Sequence, residues 1–153
     1  MTLILGWREW VSLPNLDLKA VRTKIDTGAK SSALHVSDMQ IFDRDGRKWV
    51  RFGLQLKRSR KRLHYCDAEV IDEREVTDSG GHATIRPFIR TTVGLGEHHF
   101  SVEVNLTNRS QLLFPMLLGR TALSGRALVD PSASFLLGGN ARDRSDLFHP
   151  RPT

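Results

Sequence analysis

A carboxylate at the end of an apolar strand is the first candidate for chemistry in this sequence. Uncharged residues alternate with charged ones over residues 21–25, and the chain continues as Asp26-Thr27-Gly28-Ala29. Small residues let the backbone turn tightly and let other segments approach the carboxylate closely. The same residues also suit an ordinary turn, so this segment alone does not separate a catalytic aspartate from a structural one.

A second motif favours the catalytic interpretation. Leu117-Leu118-Gly119-Arg120 ends a mostly apolar run about ninety residues further along the chain. Two hydrophobic residues followed by glycine and arginine or asparagine form the element that retropepsins pack beneath their catalytic loop. The sequence therefore resembles the retropepsin-like aspartic peptidases, with Asp26 as the catalytic aspartate.

The resemblance narrows to a bacterial family that is often described as ATP-dependent zinc proteases and is associated with ribosomal-protein glutamate ligases. It covers roughly residues 3 to 139 and rests on six short motifs, at residues 6–10 (GWREW), 24–35 (KIDTGAKSSALH), 78–82 (DSGGH), 86–87 (RP), 116–123 (MLLGRTAL) and 128–132 (LVDPS). The resemblance implies an all-β fold, a closed retropepsin-like (acid protease) barrel with one short C-terminal helix that assembles as a homodimer. It also implies that Asp26 and Gly28 belong to the catalytic loop, that Thr27 grips the partner chain's loop, and that a flap hairpin covers the cleft.

The reaction itself also argues for two chains. An aspartic peptidase needs two carboxylates a few ångströms apart that share one proton, because like charges at that distance do not both ionise. One carboxyl polarises the scissile carbonyl while the other takes a proton from water. This chain carries one such loop, so the second Asp26 must come from a partner chain. Asp130, the other carboxylate considered, precedes Pro131 and is better interpreted as a turn residue.

Residues beside the catalytic aspartate are candidates for substrate binding. Ala29 and Lys30 follow the Asp-Thr-Gly triplet, and Arg120 follows the glycine of the second motif. Lys30 stands where retroviral members commonly carry an acidic residue. This departure favours a basic cleft and an acidic substrate.

A flap is predicted within residues 63–93, with its tip at residues 78–82. The two glycines of the tip permit the positive φ angles and the mobility that a lid requires. His82 and Arg86 would then face either the cleft or the solvent, depending on the register. We assign both to substrate binding, with a plain surface hairpin as the alternative.

The cofactors named in the family description lack their usual motifs here. The sequence has no Gly-x-x-x-x-Gly-Lys-Ser/Thr loop, so any dependence on ATP would reside in a partner. It has no His-Glu-x-x-His segment, and its six histidines show no compact zinc spacing. His64 and Cys66 with the distant His82 are the remaining candidates for zinc, and His64 with Cys66 is a candidate nucleophile pair. We expect ordinary strand and turn residues instead, with no metal site and no cofactor.

Composition sets the domain organisation. With 153 residues, of which 39% are hydrophobic and 26% charged, the chain is expected to fold as one domain over residues 1–139. Residues 140–153, rich in arginine, aspartate and proline, are expected to form a loose tail.

Hydrophobic alternation predicts strands at residues 21–25, 50–56, 66–71, 85–93, 100–106 and 112–118. One short helix is predicted to begin near Thr121, which would cap it, and to stop at Gly125.

Charge and hydropathy indicate the partners and the compartment. The net charge of +6 favours acidic partners. Residues 57–62 contain five positive charges. This basic run is either a solvated loop or a surface that binds rRNA or a glutamate-rich peptide. The N-terminal apolar run is broken at Gly6 and Arg8, too early for a signal peptide or a membrane span. The lone Cys66 agrees with a reducing compartment. We therefore expect a cytoplasmic protein without membrane contact.

Three functions remain open at this point. The leading hypothesis is a homodimeric aspartic peptidase that hydrolyses an acidic peptide; the resemblance suggests a poly-glutamate tail on a ribosomal protein, with association to a glutamate ligase or the ribosome. A zinc-dependent metallopeptidase is the first alternative. The second is a non-catalytic binding module that holds acidic peptides or rRNA on a basic face, with Asp26 as a turn residue.

Overall fold

The computed structural model describes residues 2–55, 63–108 and 114–138. Within these residues the chain forms twelve β-strands, a 3-10 turn over Pro14–Leu16 and one α-helix, α1 (Arg120–Leu123). The strands are β1 (Leu3–Gly6), β2 (Arg8–Leu13), β3 (Leu18–Ile25), β4 (Ser32–His35), β5 (Asp38–Arg44), β6 (Arg47–Gln55), β7 (Leu63–Glu69), β8 (Asp72–Thr77), β9 (Ala83–Leu95), β10 (His98–Thr107), β11 (Met116–Leu118) and β12 (Ala127–Asp130). The predicted all-β class with one short helix is confirmed.

Six strands close into a barrel in the order β10-β4-β11-β3-β2-β9, because β9 pairs again with β10. The barrel is joined between β2 and β9 where Ser12 is registered with Gly94. A Cβ atom on Gly94 would collide with the Ser12 hydroxyl, so a larger residue at this junction would force the Ser12 side chain to move. Apolar side chains from the predicted alternating positions fill the interior of the barrel, for example Val102, Val104 and Leu106 of β10.

A separate antiparallel sheet is formed by β5, β6 and β7. The predicted strand at residues 50–56 is confirmed as part of β6, whose Val50, Phe52 and Leu54 are buried in the core. The strand predicted at residues 66–71 lies instead at Leu63–Glu69 and pairs with β6. The predicted flap segment was therefore too long, because its first strand belongs to this other sheet.

The hairpin itself is formed by β8 and β9, which pair from Asp72 with Phe88 to Thr77 with Ala83. The second half of β9 continues into the barrel, where Phe88 is registered with Asn105 of β10. One strand thus runs without interruption from the barrel wall into the hairpin.

Two predictions near the second motif are wrong. Helix α1 begins at Arg120 with Gly119 at the N-cap, so Thr121 lies inside the helix and does not cap it. Of the strand predicted at residues 112–118, residues 114–115 are not part of a strand and residues 116–118 form β11, while residues 112–113 lie outside the described residues. The glycine stop is confirmed, since Gly125 follows the C-cap residue with a φ of 77°. Residues 109–113, the basic run at residues 57–62 and the predicted tail at residues 140–153 lie outside the described residues.

The motif at residues 6–10 holds the segment that follows β12. Glu9 is fully buried, and its carboxylate accepts hydrogen bonds from the backbone N–H groups of Gly6 (2.6 Å), Leu136 (3.0 Å) and Leu137 (3.2 Å). A Cβ atom on Gly6 would collide with the Ala133 carbonyl, so the two segments touch backbone to backbone. We call this arrangement the Glu9 clamp.

Aromatic contacts reinforce the Glu9 clamp. The Trp10 ring stacks on the Phe135 ring, with centroids 5.3 Å apart. The Arg8 guanidinium lies 5.0 Å from the Phe135 centroid and donates to the Ser134 hydroxyl at 3.2 Å. Beside this clamp, β1 and β12 pair in parallel from Leu3 to Gly6. Residues from the beginning and the end of the described chain therefore stabilise each other.

Candidate active site

Asp26 lies in a tight turn at the end of β3. Its backbone N–H donates to the Leu118 carbonyl at 2.9 Å, which ties the turn to β11. The Asp26 carboxylate accepts the N–H of Gly28 at 2.9 Å, and the Asp26 carbonyl accepts the N–H of Ala29 at 3.2 Å. About a quarter of the Asp26 side chain is exposed, at 26%. The carboxylate is thus held in place and still accessible to water or a ligand.

The second sequence motif holds the turn of Asp26 from behind. We call residues 26–31 the catalytic loop, after the role that the sequence predicts for it. The Arg120 N–H donates to the Ala29 carbonyl at 2.8 Å, and the Thr121 N–H donates to the Lys30 carbonyl at 3.1 Å. A Cβ atom on Gly119 would lie 2.7 Å from the carbonyl carbon and oxygen of Ser31. We call residues 117–121 the loop brace. The residue types of the motif follow from this contact, since only glycine lets the two backbones approach so closely.

Positive charge surrounds the single carboxylate of the loop. The Lys24 ammonium lies 3.7 Å from an Asp26 carboxylate oxygen. Arg120 donates from its guanidinium to the Thr27 carbonyl at 3.1 Å, which fixes its position beside the loop. Lys30 is exposed and forms no ion pair among the described residues. The surface next to Asp26 is therefore suited to a negatively charged ligand.

The structure thus brings together six of the eight predicted site residues: Asp26, Thr27, Gly28, Ala29, Lys30 and Arg120. His82 is exposed at the tip of the β8–β9 hairpin, where its backbone N–H donates to the Asp78 carboxylate at 3.1 Å. The same carboxylate oxygen accepts the Gly80 N–H at 2.8 Å, and Gly81 has a φ of 82°. His82 therefore belongs to a turn organised by Asp78.

Arg86 lies away from the open surface. The residue is 7% exposed, and its guanidinium donates to the Asn105 side chain at 3.0 Å. Asn105 in turn donates to the Ser32 carbonyl at 2.8 Å, one residue beyond the catalytic loop. Sequence reasoning missed Asn105 and Ser32, because strand alternation does not distinguish a buried polar residue from an exposed one. The alternation of residues 100–106 assigns Asn105 to the same outward face as Ser101 and Glu103, so the sequence carried no signal that this side chain is buried.

The alternative nucleophile, Cys66, lies beside His64 as predicted for residues two apart on a strand. Both side chains face the Leu16 carbonyl, at 2.8 Å from the His64 Nε2 and 3.9 Å from the Cys66 sulfur. Burial, with smaller contributions from Asp67 and Asp17, raises the pKa of the Cys66 thiol to about 11. The thiol therefore stays protonated at neutral pH and is a poor nucleophile.

Two further features bear on rival functions. Asp130 accepts hydrogen bonds from the backbone N–H and the hydroxyl of Ser132, as expected for a turn residue. Among the described residues, no three side chains of histidine, cysteine, aspartate or glutamate lie close enough together to hold a metal ion. No helix within the described ranges is both long enough and apolar enough to cross a membrane.

A closed six-stranded barrel that carries an accessible Asp-Thr-Gly loop, held by a hydrophobic-Gly-Arg brace, defines a retropepsin-like fold. Within this class the chain belongs to the RimB-like family, described as the retropepsin-like aspartic endopeptidase RimB, whose family model matches residues 4–138. The family inferred from the sequence motifs is confirmed.

The curated relatives carry a different name and are longer. Proteins named probable alpha-L-glutamate ligase are 41% identical over 136 residues in Shewanella halifaxensis and 36% identical over 148 residues in Parasynechococcus marenigrum. These matches cover 88% and 96% of this chain but 30% and 32% of the relatives. The chain therefore spans about a third of the length of these relatives.

A solved structure confirms the fold independently. The crystal structure of a protein of unknown function from Legionella pneumophila is 29% identical to this chain and superposes with a TM-score of 0.76. The match covers 90% of this chain and 100% of the Legionella chain.

Proposed function

We propose that this chain is an aspartic-type peptidase that works as a homodimer, with one Asp26 carboxylate from each chain. The observation that carries the proposal is the catalytic loop itself, in which Asp26 is fixed by Gly28 and by the loop brace while remaining accessible. Two such carboxylates sharing one proton would activate water and polarise the scissile carbonyl. Membership of the RimB-like family supports the same reaction.

We further propose that the substrate is an acidic peptide, namely a glutamate tail attached to a ribosomal protein. Lys24, Lys30 and Arg120 all lie at the catalytic loop, so a peptide rich in carboxylates would be attracted to it. The net charge of +6 acts in the same direction at longer range. The ligase name of the relatives supports an association with an enzyme that adds glutamate, although the name belongs to proteins about three times as long.

The first experiment is cleavage of a glutamate-extended peptide, followed by mass spectrometry, with wild type and Asp26→Asn compared. Loss of a general acid–base group is expected to lower the rate by about 10²–10⁴-fold. Asp130→Asn is the matched control, since it removes a carboxylate from the end of another strand. Equal cleavage by wild type and Asp26→Asn would exclude the aspartic mechanism.

Parallel reactions separate the rival functions. A chelator that abolishes cleavage, with recovery on adding zinc, would assign the activity to a metallopeptidase. Binding of the peptide without cleavage, unchanged in Asp26→Asn, would indicate a binding module. A glutamine-extended peptide of the same length tests the charge, since an acidic-substrate enzyme should cleave it more slowly.

Mixing tests the shared dyad directly. When wild type and Asp26→Asn are combined in equal amounts and allowed to exchange subunits, random pairing leaves about one quarter of the dimers with two aspartates. Activity per wild-type chain should therefore fall to about half. Activity that stays constant per wild-type chain would show that each chain acts alone.

A further inference from the structure

Arg86 is a buried cation without an acidic partner. Its Nε donates to the Thr84 hydroxyl at 3.0 Å and its Nη1 donates to the Asn105 side-chain oxygen at 3.0 Å. Among the described residues, its buried Nη2 has no acceptor, and no carboxylate pairs with Arg86. Burial lowers the pKa of this guanidinium, as expected for a cation removed from water without a counter-charge.

Such an arrangement is unfavourable for stability alone. Removing a charge from water without a counter-charge is unfavourable, and a well-packed apolar side chain at the same place is often neutral or stabilising by comparison. A guanidinium, however, offers five donors in a fixed plane, so it can hold a neighbouring polar group in one orientation. This property points to a role in positioning.

The group that Arg86 orients is Asn105, which is 1% exposed. An amide can accept with its oxygen and donate with its nitrogen, and Asn105 does both, accepting from Arg86 and donating to the Ser32 carbonyl at 2.8 Å. The Ser32 hydroxyl then accepts the Gly119 N–H at 3.1 Å. A buried chain of hydrogen bonds thus links the hairpin strand β9 to Ser32, the residue that follows the catalytic loop, and through the Ser32 hydroxyl to the loop brace.

We propose that Arg86 and Asn105 are positioning residues that couple the β8–β9 hairpin to the catalytic loop. When the hairpin moves to admit or cover a peptide, Arg86 moves with β9 and shifts Asn105. Asn105 is hydrogen-bonded to Ser32, the residue that follows the catalytic loop. Arg86 therefore acts through Asn105 and Ser32, without touching the substrate. The predicted effect on turnover rests on the proposed peptidase function, but the coupling does not.

Hydrogen exchange measured by mass spectrometry tests the coupling without any substrate. Arg86→Met removes the link at the hairpin, and Asn105→Asp keeps an acceptor for Arg86 while removing the donor to Ser32. Both variants should accelerate exchange in peptides covering residues 26–32 by about tenfold or more, because the loop loses its support. Arg74→Met is the matched control, since Arg74 is an exposed arginine registered opposite Arg86 on β8. It should leave the loop unchanged.

Folded variants with wild-type exchange at residues 26–32 would overturn the proposal. If Arg86→Met does not fold, Asn105→Asp decides the question, and Arg86→Lys, which keeps the charge but loses the planar fork, provides a third variant. In the cleavage assay, rates are normalised to the folded fraction obtained from each unfolding curve, because partial unfolding alone would lower the apparent kcat. After this correction both primary variants should still lower kcat while KM stays within about twofold. If the wild type cleaves nothing, the peptidase proposal fails while the exchange result still decides the coupling.

Discussion

Gly119→Ala is the substitution that tests the loop brace most directly. The added Cβ would lie 2.7 Å from the carbonyl carbon and oxygen of Ser31 and 2.8 Å from the Ala29 carbonyl oxygen. Ordinary contact begins at 3.4 Å, so the brace and the catalytic loop must separate by about 0.6–0.7 Å. Both contacts are to backbone atoms, which cannot rotate away as a flexible side chain can.

The magnitude follows from the hydrogen bonds that cross this contact. Arg120 to Ala29 (2.8 Å), Thr121 to Lys30 (3.1 Å) and Gly119 to the Ser32 hydroxyl (3.1 Å) would all be lengthened. At about 1 kcal/mol for each bond, the free energy of unfolding should fall by about 3 kcal/mol. For a chain of this size that corresponds to a decrease in Tm of about 6–12 °C.

Activity should fall as well, since a displacement approaching 1 Å at a catalytic group can cost up to about 10²-fold in rate. Thermal denaturation and peptide cleavage are measured side by side for Gly119→Ala and for Gly80→Ala. In the control, the added Cβ meets the His82 ring at 3.2 Å, and this exposed side chain can rotate away. A Gly119→Ala variant with unchanged Tm and full activity would refute the tight backbone contact on which the loop brace depends.

Three further outcomes are expected. Glu9→Ala should lower the free energy of unfolding by about 3–5 kcal/mol, because three backbone N–H groups lose their acceptor. Chemical denaturation measures this change, with Glu75→Ala as the control because Glu75 is exposed. Equal stabilities of the two variants would contradict the Glu9 clamp. Native Cys66 should react with iodoacetamide at pH 8 much more slowly than in urea, since burial raises its pKa to about 11; equal rates would contradict the buried thiol. Hydrogen bonds from Arg51 and, to a smaller extent, Arg44 lower the pKa of Asp67, so its stabilising effect is present above about pH 4 and lost as the pH falls through the folded-state value. The Tm difference between wild type and Asp67→Asn should therefore shrink below about pH 4, and a constant difference would contradict this assignment.

Much of the barrel could be predicted because its strands have one buried face. The alternation at residues 100–106 corresponds to β10 of the barrel, and the alternation at residues 21–25 lies in β3 and leads into Asp26 as expected. The alternation at residues 50–56 corresponds to β6, which lies in the separate sheet. The contact between the catalytic loop and the loop brace was predicted, because the family resemblance links these two motifs although they are distant in the sequence. Local periodicity cannot supply partners, however, so the pairing of β7 with β6 was missed.

The polar interior was predicted less well than the apolar core. Arg86 was assigned to substrate binding as a residue of the predicted flap that would face the cleft or the solvent, but here its donors are directed at Thr84 and Asn105 within the protein. Thr121 was assigned as a helix cap by residue type, whereas the hydrogen bond from Arg120 to Ala29 places the start of α1 one residue earlier. In both cases a tertiary contact, invisible to a local pattern, decided the outcome.

The Glu9 clamp has a consequence for the synthesis of this protein. Its acceptor and its donors are separated by 127 and 128 positions, so a growing chain on the ribosome displays Glu9 long before Leu136 and Leu137 exist. At about 5–20 residues per second, this interval lasts about 6–25 s. The loop brace is synthesised about 90 residues after Asp26, so Asp26 lacks this support until residues 117–121 have left the ribosome. If the proposed peptidase activity is correct, it would be absent from the nascent chain until these residues have emerged.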